Sequence, residues 1–376
     1  MKQTASFIST YAADVSGVCS ALYELGGMTV MHDASGCNST YNTHDEPRWY
    51  DMDSLVYISA ITENDAMMGD DEKLIRDICD AALTLHPRFV AIAGTPIPML
   101  IGTDFAAIAA SVESRTGIPA MGFATNGMHS YVQGAGMAFD ALARRFVRED
   151  LRAVPGGRRV NILGLTPLDF GLTGTAEAIA GMLEDAGFTV VSRWAMGDTL
   201  DNICRAGEAN VNLVVSYAGF PAAGALQRRF GTPFVAGVPV GQAFGRCVVD
   251  ALEQALRTGE NRYPCSARVS GNAALAVIGE SVNAGSLAAA ITAEHGIPVR
   301  LICPLETDPT LLGPGDVRAT DEDELTAAAR DIPAIVADPL YRPVFRDKTF
   351  FDLPAYGFSG RIWKRGIPNL IGKPLR

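Results

Sequence analysis

Short runs of aliphatic and β-branched residues alternate with longer, alanine-rich amphipathic stretches along the whole chain. The short runs have the length of buried strands, and the long stretches have the length and spacing of helices. Strands that alternate with helices indicate parallel sheets. Segments rich in Pro, Gly and polar residues interrupt the alternation at 152–159 and 258–264. We therefore predict an α/β protein with three Rossmann-like domains at 1–157, 158–262 and 263–376, each a parallel sheet flanked by helices.

The individual elements follow from the same pattern. In the first domain the predicted strands are 28–31, 55–59, 89–93 and 119–123, and the predicted helices are 70–85, 104–116 and 134–149. In the second domain the predicted strands are 160–165, 189–193, 213–216 and 233–236, with helices at 174–186 and 243–257. In the third domain the predicted strands are 273–278, 299–303 and 332–337, with one helix at 285–294.

Composition and charge narrow the class of protein. Hydrophobic residues make up 48% of the chain and charged residues 19%, enough apolar surface for several cores. The 31 Lys and Arg against 42 Asp and Glu give a net charge of −11, which repels a phosphate backbone and disfavours nucleic acid as a partner. No uncharged apolar stretch reaches the roughly 18 residues of a membrane span, and the first residues lack the apolar core of a signal peptide. We expect a cytoplasmic protein that binds neither membrane nor nucleic acid.

Several motifs with a known mechanism are missing from the sequence. The phosphate-binding pattern GxxxxGK[ST] is absent, because Pro follows the pair Gly372-Lys373. The dinucleotide pattern GxGxxG is absent too, since Gly134 and Gly136 stand at the opening of a predicted helix with no strand before it. Neither HExxH nor GxSxG occurs. ATP hydrolysis by this chain, ordinary NAD or FAD binding and the common hydrolase chemistries are therefore disfavoured.

The cysteines are the strongest chemical candidates. There are seven, an odd number, and none belongs to a CxxC pair that would form a self-contained zinc or ferredoxin site. Cys37 follows a predicted strand, where parallel sheets place their ligands, and Gly36 lets the backbone approach closely. A helix that starts at Cys19 would lower the pKa of its thiol. Two thiolates so placed suit an iron–sulfur cluster, and the alternative is a pair of buried structural cysteines.

A family resemblance rests on segments spread in order over nearly the whole chain. They are Asp-Ala-Ser-Gly-Cys at 33–37, Asp-Glu-Pro at 45–47, the polar run 61–69 with Lys73-Leu74, the segment 92–105, the pair 229–234 and 238–241, and the tail 353–360. Together they resemble the nitrogenase component 1 family. That family includes subunits of the nitrogenase MoFe protein, the dark-operative protochlorophyllide reductase and the Ni-sirohydrochlorin a,c-diamide reductive cyclase.

The resemblance implies cluster ligands and an oligomeric state. Cys19 and Cys37 match the first two cysteines with which the family holds the cluster at its subunit interface, whereas Pro96 stands where a third cysteine is usual. Two sulfurs from each of two chains would complete a [4Fe–4S] cluster, which favours a homodimer. A heterodimer with a paralogous subunit, or an oxygen ligand from Asp14 or Asp33, is the alternative.

The resemblance also implies what occupies the substrate site. The cysteine that anchors the molybdenum-type cofactor in nitrogenase would fall at 222–224, and no thiol or imidazole stands there. We therefore expect no molybdenum-type cofactor and a pocket left for a small organic substrate. Cys204 and Cys247 have no counterpart in the family and fall on apolar helical positions, so we expect both in the core.

Reduction of an organic double bond consumes protons, so a titratable group must lie near the substrate. His44 is the candidate proton donor, because it follows the Cys37 loop and Asp45 and Glu46 beside it could tune its pKa. The alternative is an exposed histidine in a polar loop. Weaker candidates for the site are His129, Trp49 and Tyr50, while Glu63 and Asp65 are expected to cap a helix or to contact a partner.

The resemblance therefore implies the catalytic component of a nitrogenase-like two-component reductase. Electrons would come from an ATP-hydrolysing iron–sulfur protein of the nitrogenase reductase type, and the chain would pass them to an organic substrate. A tetrapyrrole is the first candidate substrate and an organosulfur compound the second. The rival functions are a non-catalytic scaffold or carrier for metallocluster assembly, and a three-domain binding protein without a cluster.

Overall fold

The computed structural model describes residues 12–34, 41, 45–268 and 272–375. The first domain has the strands β1 (Met28–His32), β2 (Leu55–Ile58), β3 (Val90–Gly94) and β4 (Ala120–Phe123). Its helices are α1 (Asp14–Leu22), α2 (Glu63–Met68), α3 (Asp71–Leu85), α4 (Pro96–Ile101), α5 (Phe105–Thr116) and α6 (Tyr131–Arg145). The sheet has the order β2-β1-β3-β4, and all of its strand pairs are parallel.

The second domain repeats this plan. Its strands are β5 (Arg159–Leu163), β6 (Thr189–Arg193), β7 (Val211–Val214) and β8 (Phe234–Ala236), and they form a parallel sheet of order β6-β5-β7-β8. Its helices are α7 (Pro167–Phe170), α8 (Thr175–Asp185), α9 (Leu200–Cys204), α10 (Phe220–Phe230) and α11 (Ala243–Thr258).

The third domain has five strands, β9 (Leu275–Ile278), β10 (Val299–Cys303), β11 (Val317–Arg318), β12 (Ala334–Ala337) and β13 (Thr349–Asp352). They form a parallel sheet of order β11-β10-β9-β12-β13. Its helices are α12 (Ser281–His295), α13 (Glu322–Ala328) and α14 (Tyr356–Ser359). The predicted fold class, α/β with three parallel sheets flanked by helices, is confirmed. The exact domain limits stay predictions.

Burial explains why the strands were visible in the sequence. Every residue of the central strands β1 and β3 is buried, because helices cover both faces of the sheet. Helix ends were visible where a polar cap and a glycine stand at the two ends. Asp104 Oδ1 accepts hydrogen bonds from the backbone N–H groups of the first turn of α5, and Gly117 ends that helix with φ of 70°.

Two glycines set the packing of α1 against α6. A Cβ atom on Gly134 would lie 1.8 Å from the backbone oxygen of Asp14, and one on Gly17 would lie 1.9 Å from the backbone oxygen of Tyr131. Only glycine allows the two helix backbones to approach so closely. The prediction that Gly134 and Gly136 stand at the opening of a helix is wrong, because both lie inside α6 and Gly134 is a contact point between helices.

Other differences have local causes. The prediction that a helix starts at Cys19 is wrong, because α1 begins at Asp14 and Cys19 is its sixth residue. Helix α10, strand β11 and strand β13 were not predicted; β11 is short, with only two residues. Within the described ranges, no helix is long and apolar enough to cross a membrane.

Candidate functional site

Cys19 is fully buried on α1, and its surroundings are acidic. Burial raises the pKa of its thiol, and the nearby Glu46 and Asp45 carboxylates raise it further. The prediction that a helix terminus lowers this pKa is therefore wrong. Cys19 lies in the interior of the helix, and the two carboxylates act against the thiolate.

A buried ionic network holds the segment after residue 44 against α1. The Arg48 guanidinium donates to both carboxylate oxygens of Glu46, at 2.6 and 2.7 Å, and to Glu24 Oε1 at 2.7 Å. It also donates to the backbone oxygen of Ala195, 3.3 Å away in the second domain. Glu46 accepts a further hydrogen bond from the Ser20 hydroxyl at 3.0 Å. The network therefore ties together α1, the Glu46 segment and the second domain.

Asp45 lies on the same side but, among the described residues, has no cation paired with it. Its Oδ2 accepts a hydrogen bond from the Ser16 hydroxyl at 2.8 Å, and its Oδ1 is buried without a hydrogen-bond partner in the described part of the chain. Burial raises the pKa of this carboxyl to about 7. Both Asp45 and Glu46 thus bond to serines of α1, and their proposed influence on His44 stays a prediction, because His44 lies outside the described residues.

Of the other residues predicted at the cluster, the structure describes some and not others. Cys37 and Gly36 lie outside the described residues. Asp14 is unsuited to be a ligand, because its carboxylate already accepts backbone N–H groups of Val15, Asn126 and Gly127 at 2.8 to 3.0 Å. Pro96 is the first residue of α4, directly after β3.

These observations test whether an iron–sulfur cluster fits. Cys19 offers one soft sulfur donor on the described part of the chain, and no group of three or more His, Cys, Asp or Glu side chains in that part could hold a metal ion. A four-iron cluster takes four ligands. The described residues therefore fit only a shared cluster, to which Cys37 and a second chain would have to contribute.

A second polar site lies between the second and third domains, at the carboxyl ends of their strands. It is a cavity of about 70 Å³, lined by three carboxylates and by apolar side chains. Asp169 lies in α7, the first helix after β5, Glu280 lies two residues after the end of β9, and Asp338 directly follows β12. Apolar lining residues are Val240, Leu287, Phe358 and Ile371. We call this space the inter-domain cavity; parallel sheets place ligands at such carboxyl ends.

Two of its three carboxylates have all their hydrogen bonds satisfied within the protein. Glu280 accepts the backbone N–H groups of Tyr217, Val282 and Asn283 at 2.9 to 3.0 Å and the Ser281 hydroxyl at 3.1 Å. Asp338 accepts two backbone N–H groups and the Ser359 hydroxyl at 2.8 to 3.0 Å. These donors stabilise the charged form of each carboxylate.

Asp169 differs from both. Its Oδ1 accepts a hydrogen bond from the Tyr131 hydroxyl, whereas its Oδ2 is buried and no described residue donates a hydrogen bond to it. Burial raises the pKa of Asp169 well above its usual value, and repulsion from Glu280 raises it further. Sequence reasoning missed these residues, although an acidic residue shortly after a buried strand was a usable signal for Glu280 and Asp338.

The weaker candidates lie elsewhere. His129 is half-exposed, with its Nδ1 3.6 Å from Glu306 Oε1, in a separate surface pocket. Trp49 and Tyr50 are exposed by 37% and 64% and do not line the inter-domain cavity. Asp65 forms a capping box with Thr62 at the start of α2, as predicted for a capping carboxylate.

The cysteines expected in the core also need a correction. Cys247 is exposed, and Cys204 is only half-buried at the end of α9. The prediction is wrong for Cys247, because the buried stripe of α11 passes through Phe244 and Val248 and leaves Cys247 on the outer side.

Three α/β domains with parallel sheets, and carboxylates at the carboxyl-terminal side of the second and third sheets, define the class of protein by its fold. Residues 17–353 match the family described as nitrogenase component 1 type oxidoreductase. The chain therefore belongs to the nitrogenase component 1 type oxidoreductases, and the resemblance seen in the sequence is confirmed.

Individual relatives are distant. The chain is 25% identical over 189 residues to the nitrogenase molybdenum-iron protein alpha chain of Clostridium pasteurianum, covering 49% of this chain and 34% of that protein. It is 25% identical over 239 residues to the nitrogenase iron-molybdenum cofactor biosynthesis protein NifE of Klebsiella pneumoniae, covering 60% and 51%. It is 39% identical over 82 residues to a subunit of the light-independent protochlorophyllide reductase of Rubrivivax gelatinosus, covering 22% and 15%.

The chain thus spans about half or less of the length of these relatives. The solved structure "Nitrogenase Cp1 at pH 5" is similar with a TM-score of 0.63 and 15% identity, covering 96% of this chain and 86% of that one. A likeness at this identity concerns the fold alone.

Proposed function

We propose that the protein is the catalytic component of a nitrogenase-like two-component reductase that acts on a small organic molecule. The observation that carries the proposal is the inter-domain cavity, found in a chain whose family match is to redox proteins. Its lining among the described residues combines apolar side chains with carboxylates and contains neither Cys nor His. Such a lining suits an organic ligand better than a metal cofactor that needs thiolate or imidazole anchors.

The size of the cavity bears on the substrate. A volume of about 70 Å³ holds on the order of five water molecules, by the space one buried water needs. A small organosulfur compound is much closer to this volume than a tetrapyrrole is. A tetrapyrrole fits only if the second and third domains move apart or if a second subunit forms most of its site. The cavity therefore favours a small molecule over the tetrapyrrole that the sequence suggested first.

The electron supply is proposed to come from outside the chain. Cys19 and Cys37 of two chains would hold an iron–sulfur cluster between them, and such a cluster supplies single electrons at low potential. The donor would be an ATP-hydrolysing iron–sulfur protein. Apart from Cys19, whose thiol would lose its proton on binding iron, the described residues near α1 serve to position that helix.

Iron content tests this assignment. In protein purified without oxygen, Cys37→Ser is expected to remove most of the iron, because a four-iron cluster rarely survives the loss of a thiolate. Cys247→Ser is the matched control, since Cys247 is exposed on α11 and is expected to leave the iron unchanged. Iron analysis and EPR of both variants give the readout. Equal iron in the two variants would contradict the assignment of Cys37.

The rival function is a scaffold for metallocluster assembly, which the similarity to the cofactor biosynthesis protein NifE supports. Turnover separates the two functions. We expect ATP-dependent reduction of a small organosulfur probe, ethyl methyl sulfide, when the iron–sulfur partner is present, with protochlorophyllide as the tetrapyrrole comparison. A protein that binds iron but reduces neither probe would favour the scaffold.

A further inference from the structure

We propose that Asp169 is a carboxylic acid at neutral pH, presents its proton through Oδ2 to the inter-domain cavity, and donates it to the molecule reduced there. The role as proton donor rests on the reductase function proposed above, whereas the protonation of Asp169 does not. Neither the family match nor the relatives assign a role to this residue.

One oxygen of Asp169 is unpaired. Asp169 is 6% exposed and lines the cavity, and within the described ranges its Oδ2 has no hydrogen-bond partner. A buried carboxylate oxygen without a donor is costly, whereas a protonated oxygen is itself a donor that can wait for an acceptor. The Ser216 hydroxyl, the other nearby group, donates to the backbone oxygen of Gly164 at 2.8 Å and so leaves Oδ2 unpaired.

The hydrogen bond from Tyr131 determines which oxygen of Asp169 carries the proton. Oδ1 accepts a hydrogen bond from the Tyr131 hydroxyl, and an oxygen that accepts a donor is the poorer place for a hydrogen. Tyr131 is fully buried, and burial together with Asp169 raises its pKa well above the usual value, so it keeps its own proton. Tyr131 is therefore a positioning residue that leaves Oδ2 as the site of the Asp169 proton.

The surrounding hydrogen bonds determine which carboxyl of the pair Asp169 and Glu280 is charged. Glu280 and Asp169 repel each other when both are ionised, so burial favours one shared proton. Burial raises the pKa of both carboxyls, but four hydrogen-bond donors oppose this at Glu280 and one at Asp169, so Glu280 is the more acidic of the two. The remaining titratable groups nearby are Asp338, whose oxygens are satisfied by three donors, and Cys303, whose pKa burial raises. The proton therefore resides on Asp169.

The chemical step is a general acid step. A two-electron reduction takes two electrons from the iron–sulfur partner and two protons. In the substrate the two electrons break a C–S single bond or the π bond of a C=C or C=N group. As a C–H, N–H or S–H bond forms there, the O–H bond at Asp169 Oδ2 breaks, and the carboxylate left behind regains a proton from water. The second proton also comes from water. The cavity is partly open to solvent, which permits this return.

Infrared spectroscopy tests the proton without any need for turnover. At neutral pH the anaerobically purified protein is expected to show protonated-carboxyl absorption that shifts in D2O, with one component that is lost in Asp169→Asn. A second component, from Asp45, whose pKa burial raises to about 7, is expected to persist in that variant. The asparagine has the same shape, and its NH2 group replaces the proton donor at Oδ2, so the variant is expected to fold. The control is Asp185→Asn, an exposed position at the end of α8, which is expected to keep the band.

A second pair of variants tests how Glu280 and Tyr131 affect the titration of Asp169. Glu280→Gln removes the repelling charge and is expected to lower the titration midpoint of the band by about 1 to 3 pH units. Tyr131→Phe removes the donor to Oδ1 and is expected to raise the midpoint. An unchanged spectrum in Asp169→Asn, or a band that is already absent from the wild type, would overturn the proposal.

Turnover then tests the donor role. With the iron–sulfur partner and either probe that the wild type reduces, Asp169→Asn is expected to lose about 100-fold or more in kcat. The loss is expected to shrink at pH values above the Asp169 pKa, where the wild type has released the same proton, and Asp185→Asn is expected to match the wild type. Equal turnover in Asp169→Asn overturns the donor role. Absence of turnover in the wild type counts instead against the proposed reductase, and the infrared result still decides the protonation.

Discussion

The protein buries carboxylates in two regions, and the cost of burying their charge is offset in a different way in each region. Around Cys19, Glu46 and Glu24 are neutralised by the Arg48 guanidinium. In the inter-domain cavity, Glu280 and Asp338 are held by backbone N–H groups and hydroxyls, and Asp169 by a hydrogen bond from Tyr131. A buried ion pair holds Glu46 and Glu24 in place beside Cys19, whereas the cavity carboxylates depend on uncharged donors. An oxygen without a hydrogen-bond partner among the described residues occurs in both regions, at Asp45 and at Asp169, but only Asp169 lines the inter-domain cavity, where a bound molecule could exchange its proton.

The α1–α6 contact connects the two regions. Helix α1 carries Cys19, and α6 carries Tyr131 as its first residue. Their backbones touch at Gly17 and Gly134. A change at this contact is therefore expected to move both sites together, whereas a change within either region is expected to remain local.

The largest expected effect is in the first region. Arg48→Met leaves Glu46 and Glu24 buried without a cation and is expected to destabilise the protein by about 3 to 5 kcal/mol. The control is Arg144→Met, which breaks an exposed pair with Asp140 and is expected to cost under about 0.5 kcal/mol. Urea unfolding gives both values. A loss at Arg48 as small as that at Arg144 would contradict a structural role for the network.

The next effect concerns the contact between the helices. Gly134→Ala places a methyl group against the Asp14 backbone and is expected to cost about 1 to 3 kcal/mol. Gly181→Ala, in α8, meets no atom within 4 Å and is expected to stabilise by about 0.5 to 1 kcal/mol. If close packing is what requires glycine at position 134, thermal unfolding is expected to show a lower midpoint for Gly134→Ala and a higher midpoint for Gly181→Ala than for the wild type.

The smallest expected effect is the pH dependence of stability in the second region. The pKa of Asp169 is raised in the folded state, so above the unfolded value of about 3.9 the folded protein holds more protons than the unfolded chain. Unfolding free energy from this group therefore falls as pH rises, by at most about 1.4 kcal/mol per pH unit. Asp169→Asn is expected to flatten the slope of unfolding midpoint against pH. An unaltered slope would show that Asp169 titrates normally.

The sequence predicted the sheets better than the sites. Strands such as β1 and β3 were visible because a buried parallel strand is apolar throughout. The surroundings of Cys19 were not, because Glu46 reaches Ser20 across 26 residues of chain. Likewise, Tyr131 and Asp169 lie 38 residues apart in different domains, and nothing local relates them. Polar groups that meet only through domain packing leave no periodic signal.

The central claim is that this chain shares an iron–sulfur cluster through Cys19 and Cys37 and uses it for reduction. The most direct measurement is the iron content and EPR spectrum of the protein purified under anaerobic conditions. We predict about two irons per chain, which is one four-iron cluster per dimer, with a signal that appears on reduction. Freshly prepared protein with no iron and no signal would contradict the account.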